Sequence, residues 1–155
     1  MHFRKGEKKD LNELVNLGYL LAKHEQNSER GIKIKNTPKT KLRSKYSKQI
    51  SKSNVRFFVA EDKNNIVGFL YGDIEKAPSY LAHKKIAHMS SVFVDPKFRR
   101  RGIARKLVKL FMEWLKTNKI SFLDAGVLIN NTSGLHAWKS LGFKEYYVKL
   151  RKDII

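Results

Sequence analysis

The chain has no cysteine, only three prolines, fewer than half as many acids as bases, and no long apolar run. Without cysteine it can form no disulfide, no thiolate metal site and no cysteinyl acyl-enzyme, which suits an intracellular, cytoplasmic protein. No stretch approaches the roughly 18 consecutive apolar residues of a membrane helix, so no membrane partner is expected. The charged start Met1–Glu7 has no apolar region behind it, so no secretory signal is expected either. No repeat or low-complexity linker divides the chain, and its 155 residues are expected to form one domain, 1–155. What is abundant is positive charge: 33 Lys and Arg against 14 Asp and Glu give +19. That excess favours polyanionic partners and keeps a nucleic-acid-binding reading open on charge alone. At 41% apolar and 11% aromatic, however, the chain is no disordered basic tail.

Apolar spacing orders the elements. Phe3-Arg4 reads as the end of a short edge strand. Asp10-Leu11-Asn12-Glu13 predicts a capping box, followed by a helix with Leu11, Leu14, Val15, Leu21 and Ala22 on its apolar face. Thr37-Pro38 predicts a second helix start, with Pro38 at the first helical position and Leu42, Tyr46 and Ile50 as a thin apolar stripe. Between Arg30 and Lys52 there are nine Lys or Arg, and no acid stands between Glu29 and Glu61. The period then changes. Val55–Ala60 and Ile66–Ile74 predict a hairpin turning at Asp62-Lys63-Asn64-Asn65, where Asn tolerates left-handed backbone. Lys85–Val94 predicts a strand stopped by Asp95-Pro96. A long helix then starts at Gly102, with Ile103, Leu107, Leu110, Phe111, Trp114 and Leu115 on one face. Phe122–Ile129 predicts a strand, Thr132–Leu141 a short helix ended by Gly142, and Phe143–Leu150 a last strand. These elements predict an α/β fold: a mixed, mostly antiparallel twisted sheet with helices on both faces.

The stretch Val92-Phe93-Val94-Asp95-Pro96-Lys97-Phe98-Arg99-Arg100-Arg101-Gly102-Ile103-Ala104 carries chemistry. A strand ends, a loop turns, and a helix opens on small residues, Gly102 and Ala104, that leave its first amides approachable. The helix dipole and Arg99, Arg100, Arg101 and Arg105 add positive charge at the same place. This is an anion site sized for phosphate or pyrophosphate.

Arg99-x-x-Gly102-x-Ala104 resembles the [RQ]-x-x-G-x-[GA] motif of the GCN5-related N-acetyltransferases, the GNAT family. The strand Val92 to Pro96 before it, and the run from Asn131 to Gly142-Phe143 after it, follow the same family in the same order. The resemblance runs from about Asp10 to Leu150 and implies a GNAT-type acyltransferase fold. The cofactor core would span about 85–150 and the acceptor-side helices about 10–53. It implies N-acetyl transfer from acetyl-CoA to a primary amine of a protein, peptide or small molecule, by direct attack in a ternary complex; the sequence itself shows no HExxH, CxxC or paired-carboxylate pattern, so no metal is expected. It further implies that main-chain groups of the Val92-Phe93-Val94 strand hold the acetyl carbonyl and pantetheine arm. The amides from Arg100 through Ile103 to Arg105 would hold the pyrophosphate, and Asn131 would contact the pantetheine. Gly134 stands where the family often has alanine, leaving room for the arm. Members often form homodimers, so a homodimer is implied as well.

The chain departs from the family at Trp138, where many members place a tyrosine proposed to protonate the leaving thiolate; an indole N–H donates hydrogen bonds but transfers no proton near neutral pH. Trp138 reads as a packing residue beside the cofactor. The candidates for taking the amine's proton are His88 and Ser90, which alternation puts on one strand face where the family often places a base or its water. Asp73, Glu75, Tyr80 and His83 lie on or near the preceding hairpin. Tyr146 and Tyr147 lie on the expected last strand, where only one can face the cleft. The basic run 30–52 has two readings: attraction of an anionic acceptor such as an acidic peptide, or a solvated lysine-rich face. A basic cleft would disfavour polyamines and aminoglycosides. Two rivals to the enzyme stay open: a non-catalytic CoA-binding module and a basic nucleic-acid-binding protein.

Overall fold

The computed structural model describes residues 1–27, 29, 38–152 and 154. In chain order the elements are β1 (His2–Lys5), α1 (Leu11–Gln26), α2 (Lys39–Gln49), β2 (Val55–Asp62), β3 (Asn65–Lys76), β4 (Lys85–Val94), α3 (Ile103–Thr117), β5 (Leu123–Ala125) and α4 (Thr132–Ser140). The five strands form one sheet in the order β1-β2-β3-β4-β5. Every neighbouring pair is antiparallel except β4 and β5, which run parallel over Ala87–Met89 only.

Alternation along the strands sends apolar side chains to two cores. On one face, Val55, Phe57, Val59, Phe69, Tyr71 and Phe93 pack against Leu14, Val15 and Leu17 of α1 and Leu42 and Tyr46 of α2. On the other, Leu70, Ile74, Ala87, Met89 and Val94 pack against Ile103, Leu107, Val108, Phe111 and Leu115 of α3. Burial of this kind is worth roughly 1.5–3 kcal/mol for each large side chain, so both helical layers are anchored by the sheet. Gly72 of β3 is the point of closest approach. A Cβ there would meet the Phe111 ring of α3 at 2.6 Å and the carbonyl oxygen of His88 closer still.

The hairpin turn is the expected one. Lys63 and Asn64 both take left-handed backbone, φ 48° and 66°, between the paired residues Asp62 and Asn65, as a two-residue turn with the twist of its strands requires. Three local expectations are corrected. The capping box lies one turn earlier than read: Asp10 ends a 3₁₀ turn over Lys8–Asp10, and its Oδ2 accepts the Glu7 N–H at 2.8 Å. Asp10 is taken there because it is also gripped by Arg4, whose Nη1 and Nη2 donate to it at 2.7 and 2.8 Å while Nε donates to Glu61 at 2.8 Å. Pro38 is the N-cap of α2 and not its first helical residue; Thr37, and the start of the basic run, lie outside the described residues.

The third correction concerns the end of the chain. The strand expected over 122–129 shrinks to Leu123–Ala125, and 143–150 form no strand. The physical reason is the lack of a ladder. β5 offers three residues, and Tyr146, Tyr147 and Val148 stand 77–78% exposed, with no strand beside them to complete.

Candidate functional site

β4 is paired on both sides only as far as Met89. Among the described residues its outer edge has no strand partner from Ser90 to Val94, and the side chains of Phe93 and Val94 are buried in the two cores. Val92 packs against the α3 core as well. What Val92 to Val94 present at this free edge is therefore main chain.

The strand runs out at Asp95, whose carboxylate accepts the Lys97 N–H at 2.9 Å and starts a 3₁₀ turn over Pro96–Phe98. Arg99 then folds back. Its Nε donates to the Val94 carbonyl at 3.0 Å, and its guanidinium lies 5.5 Å from the centre of the Phe93 ring. Arg101 is set over Phe98 in the same way, at 5.3 Å. Between them Arg100 is left-handed, φ 64°, and Gly102 is left-handed again, φ 74°. Alternating backbone of this kind gathers successive N–H groups into a concavity for an anion.

Gly102 is the N-cap of α3 and supplies no side-chain cap, and the first turn holds no acid. The first N–H groups of the helix thus face outward with the positive end of the dipole behind them. A Cβ built on Gly102 would meet nothing within 4 Å, so the space in front of the loop is open. Ile103 is buried beneath it. Ala104 is half-buried in the first turn and Arg105 is exposed. These residues fit a pyrophosphate.

Asn131 is the N-cap of α4, and its side-chain oxygen accepts the Gly134 N–H at 3.0 Å and the Ser133 hydroxyl at 3.1 Å. A Cβ on Gly134 would meet the Asn131 amide at 2.7–3.0 Å. The glycine thus makes room first for its own helix cap. At the other end of α4, Gly142 is left-handed at φ 90°. The Gly142 N–H donates to Lys139 and the Phe143 N–H to Trp138, at 3.0 and 3.1 Å. That is a Schellman close, and its usual hydrophobic contact is present: Phe143 meets Trp138 edge-on, ring centres 4.9 Å apart. Trp138 and the Gly142-Phe143 pair thus form one packing unit.

On the opposite face of β4, register sets His88 across from Asp73. Ser90 has no register partner, because the ladder slips between Tyr71 and Gly72, a β-bulge. The Ser90 hydroxyl nevertheless donates to Asp73 Oδ1 at 3.2 Å, on the side of the sheet where Asp73 faces His88. His88 Nε2 lies 2.9 Å from Glu75 Oε1. Sequence reasoning had these acids nearby without assigning partners. The available signal was Asp73-x-Glu75, two acids on one face of a strand in an acid-poor chain. His83 stacks on Phe122 at 4.1 Å, away from this row. Tyr80 is exposed in the loop after β3.

The cations of α2 are partly engaged in holding the helical layer. Lys39 donates to Asn16 at 2.8 Å, Arg43 donates to Asn12, and Lys45 lies 5.7 Å from the centre of the Tyr71 ring. Glu25, near the end of α1, is a half-buried acid; burial pushes its carboxyl up, against the charges of His24 and Lys45.

The model of the GNAT acetyltransferase family matches residues 21–143. The chain belongs to the GNAT family. An uncharacterized N-acetyltransferase of Methanocaldococcus jannaschii is 33% identical over 89 residues, covering 57% of this chain and 39% of that protein. The chain thus spans about two fifths of that relative's length. Among solved structures, a mutant of the BH1408 protein from Bacillus halodurans superposes with a TM-score of 0.90 over 100% of both chains, at 18% identity. A predicted acetyltransferase from Clostridium acetobutylicum, solved with acetyl-CoA, gives a TM-score of 0.78 over 99% of this chain and 96% of that one, also at 18% identity. The five-stranded sheet and four helices are thus the GNAT fold, with the Arg99–Ala104 loop inside the matched region.

Proposed function

We propose that this GNAT chain transfers an acetyl group from acetyl-CoA to a primary amine, in a single domain and in the cytoplasm. The observation that carries the reading is the uncapped, acid-free start of α3, set directly beyond a strand whose outer edge is unpaired after Met89. The amides from Arg100 to Arg105 bind the pyrophosphate, and Arg100, Arg101 and Arg105 add charge around it. Main-chain groups of Val92 to Val94 orient the pantetheine arm and polarise the acetyl carbonyl, a preorganised arrangement worth several kcal/mol in acyl transfer. Asn131 and Gly134 flank the arm, and Trp138 with Phe143 walls it. Acetyl-CoA supplies the activated thioester.

The chain's own residues supply the rest. His88 takes the proton that the attacking amine must lose, and Ser90 holds the amine or its water. With indole at Trp138, no side chain there protonates the departing thiolate, and we assign that proton to solvent. The acceptor is a primary amine; Asp73 and Glu75 stand on the face that carries His88 and Ser90, so this face is not uniformly basic.

The test is a thermal-shift titration with acetyl-CoA and, separately, ATP, followed by thiol release over a panel of peptide and small-molecule amines. Ligand at 100 times its dissociation constant adds about 2.7 kcal/mol, or roughly 5–10 °C here. A large shift with acetyl-CoA, little with ATP, and thiol release with an amine support the reading. Equal shifts with both ligands replace it with generic anion binding by the +19 surface. Trp138 favours one second reading, a CoA-binding module without turnover; binding with no thiol release across the panel would select it.

A further inference from the structure

Two of the chain's few acids, Asp73 and Glu75, stand on one face of β3, and both are turned toward β4. Among the described residues neither is paired with a lysine or arginine, in a chain with 33 of them. Their partners are a hydroxyl and an imidazole. Register alone would give His88 to Asp73, directly opposite. The side chains pair otherwise: Ser90, which has no ladder partner, donates to Asp73 at 3.2 Å, and the imidazole goes to Glu75 on the diagonal at 2.9 Å. Diagonal neighbours on adjacent strands are within reach of long side chains. Each of the two acids thus has its own polar partner.

We infer that Glu75 is the positioning residue for His88. It accepts the Nε2–H, fixes the ring's tautomer and orientation, and so makes Nδ1 the atom that receives the acceptor's proton. This rests on the acetyl-transfer reading above. In the neutral imidazole one nitrogen donates and the other carries the lone pair, and the hydrogen bond at the first decides which is which. With Nε2–H given to the carboxylate, Nδ1 holds the lone pair. The amine's N–H bond breaks, an Nδ1–H bond forms, and the resulting imidazolium stays beside the Glu75 carboxylate. Both side chains are partly exposed, His88 at 38% and Glu75 at 56%, so the acceptor and solvent can reach them and substitution does not open a core.

Kinetics and spectroscopy on the full chain test this separately. At saturating acetyl-CoA, His88→Ala is expected to lower kcat about a hundredfold and Glu75→Ala about tenfold, with KM for acetyl-CoA unchanged. In a His88→Ala background, Glu75→Ala should cost less than about twofold more, because the two act through one group. Glu75→Gln, which still accepts the hydrogen bond, should recover most of the loss. Independently of turnover, the His88 Nε2–H signal in spectra of ¹⁵N-histidine-labelled protein should be visible in wild type, Glu75→Gln and Asp73→Asn, and lost to solvent exchange in Glu75→Ala. Additive losses in the double variant, or an Nε2–H signal indifferent to Glu75→Ala, would overturn the inference. Wild-type protein that binds acetyl-CoA and acetylates no amine would instead sink the transfer reading, and the Nε2–H signal would still decide the role of Glu75.

Discussion

The two sides of β4 present different kinds of group. Toward α3 the strand and the loop after it present peptide groups: the free edge past Met89, the left-handed Arg100 and Gly102, and the uncapped first turn. Toward α1 and α2 the same strand presents side chains, His88 and Ser90, held by two acids from β3. A main-chain site is fixed once the fold is fixed and tolerates many side chains around it. A side-chain site is fixed only by identity and register together. The first therefore suits the invariant part of a reaction, here the proposed cofactor, and the second the part that differs from one acceptor to another.

The largest break in this comparison is Gly102→Asp. A carboxylate in the anion concavity is expected to weaken acetyl-CoA binding about a thousandfold, read by calorimetry. Gly102→Asn, which tolerates left-handed backbone without the charge, should retain measurable binding and so separates repulsion from strain.

Next is Arg4→Met, which releases the start of α1 from the sheet edge. Asp10 is only 4% exposed. Burial alone would raise its carboxyl, but the hydrogen bonds from Arg4 and the Glu7 N–H, with the charges of Arg4 and Lys9, hold it below the usual range. The stabilisation this represents is fully present above the ordinary aspartate value of about 3.9 and fades as pH falls through the lower folded value. We expect a loss of about 3 kcal/mol at pH 7 in urea titrations, a smaller difference between variant and wild type at pH 3, and an unchanged acetyl-CoA shift. A lost shift would mean that the helical layer and the phosphate loop are not independent.

Asn131→Ala should cost about 1 kcal/mol through the lost α4 cap. If it weakens acetyl-CoA by no more than the stability loss explains, Asn131 serves its helix alone. The smallest effect is at Glu25. Its raised carboxyl means the ionised form is disfavoured in the fold, so stability falls as pH rises through the folded value. Glu25→Gln is expected to raise Tm by about 1–2 °C at pH 7, with no gain below about pH 4, where the wild-type residue is protonated.

How much of this could be read beforehand follows the same division. The Arg99–Ala104 loop was legible because glycine at a helix start and a basic, acid-free turn are local signals, and the hairpin at Lys63-Asn64 was legible for a similar reason. The end of α4 was legible too, since Gly142 followed by an apolar residue marks a Schellman close. The capping box was misplaced by one turn because Asp10 answers to Arg4 and, through it, to Glu61, which lies 57 positions from Arg4 in sequence. The last strand failed because β-prone residues, Tyr146, Tyr147 and Val148, say nothing about whether a ladder is waiting for them. The pairing of Glu75 with His88 was hidden because it runs on the diagonal, while the residue directly opposite His88 is Asp73.

Gly72 touches both halves of this arrangement. The ring of Phe111 and the carbonyl of His88 both crowd the place its Cβ would take, so α3 and the strand that carries the proposed base rest on the same missing side chain. Even alanine at position 72 would have to lift the helix or displace the strand. A survey of tolerated substitutions should therefore find its deepest depletion at a residue that touches no ligand at all.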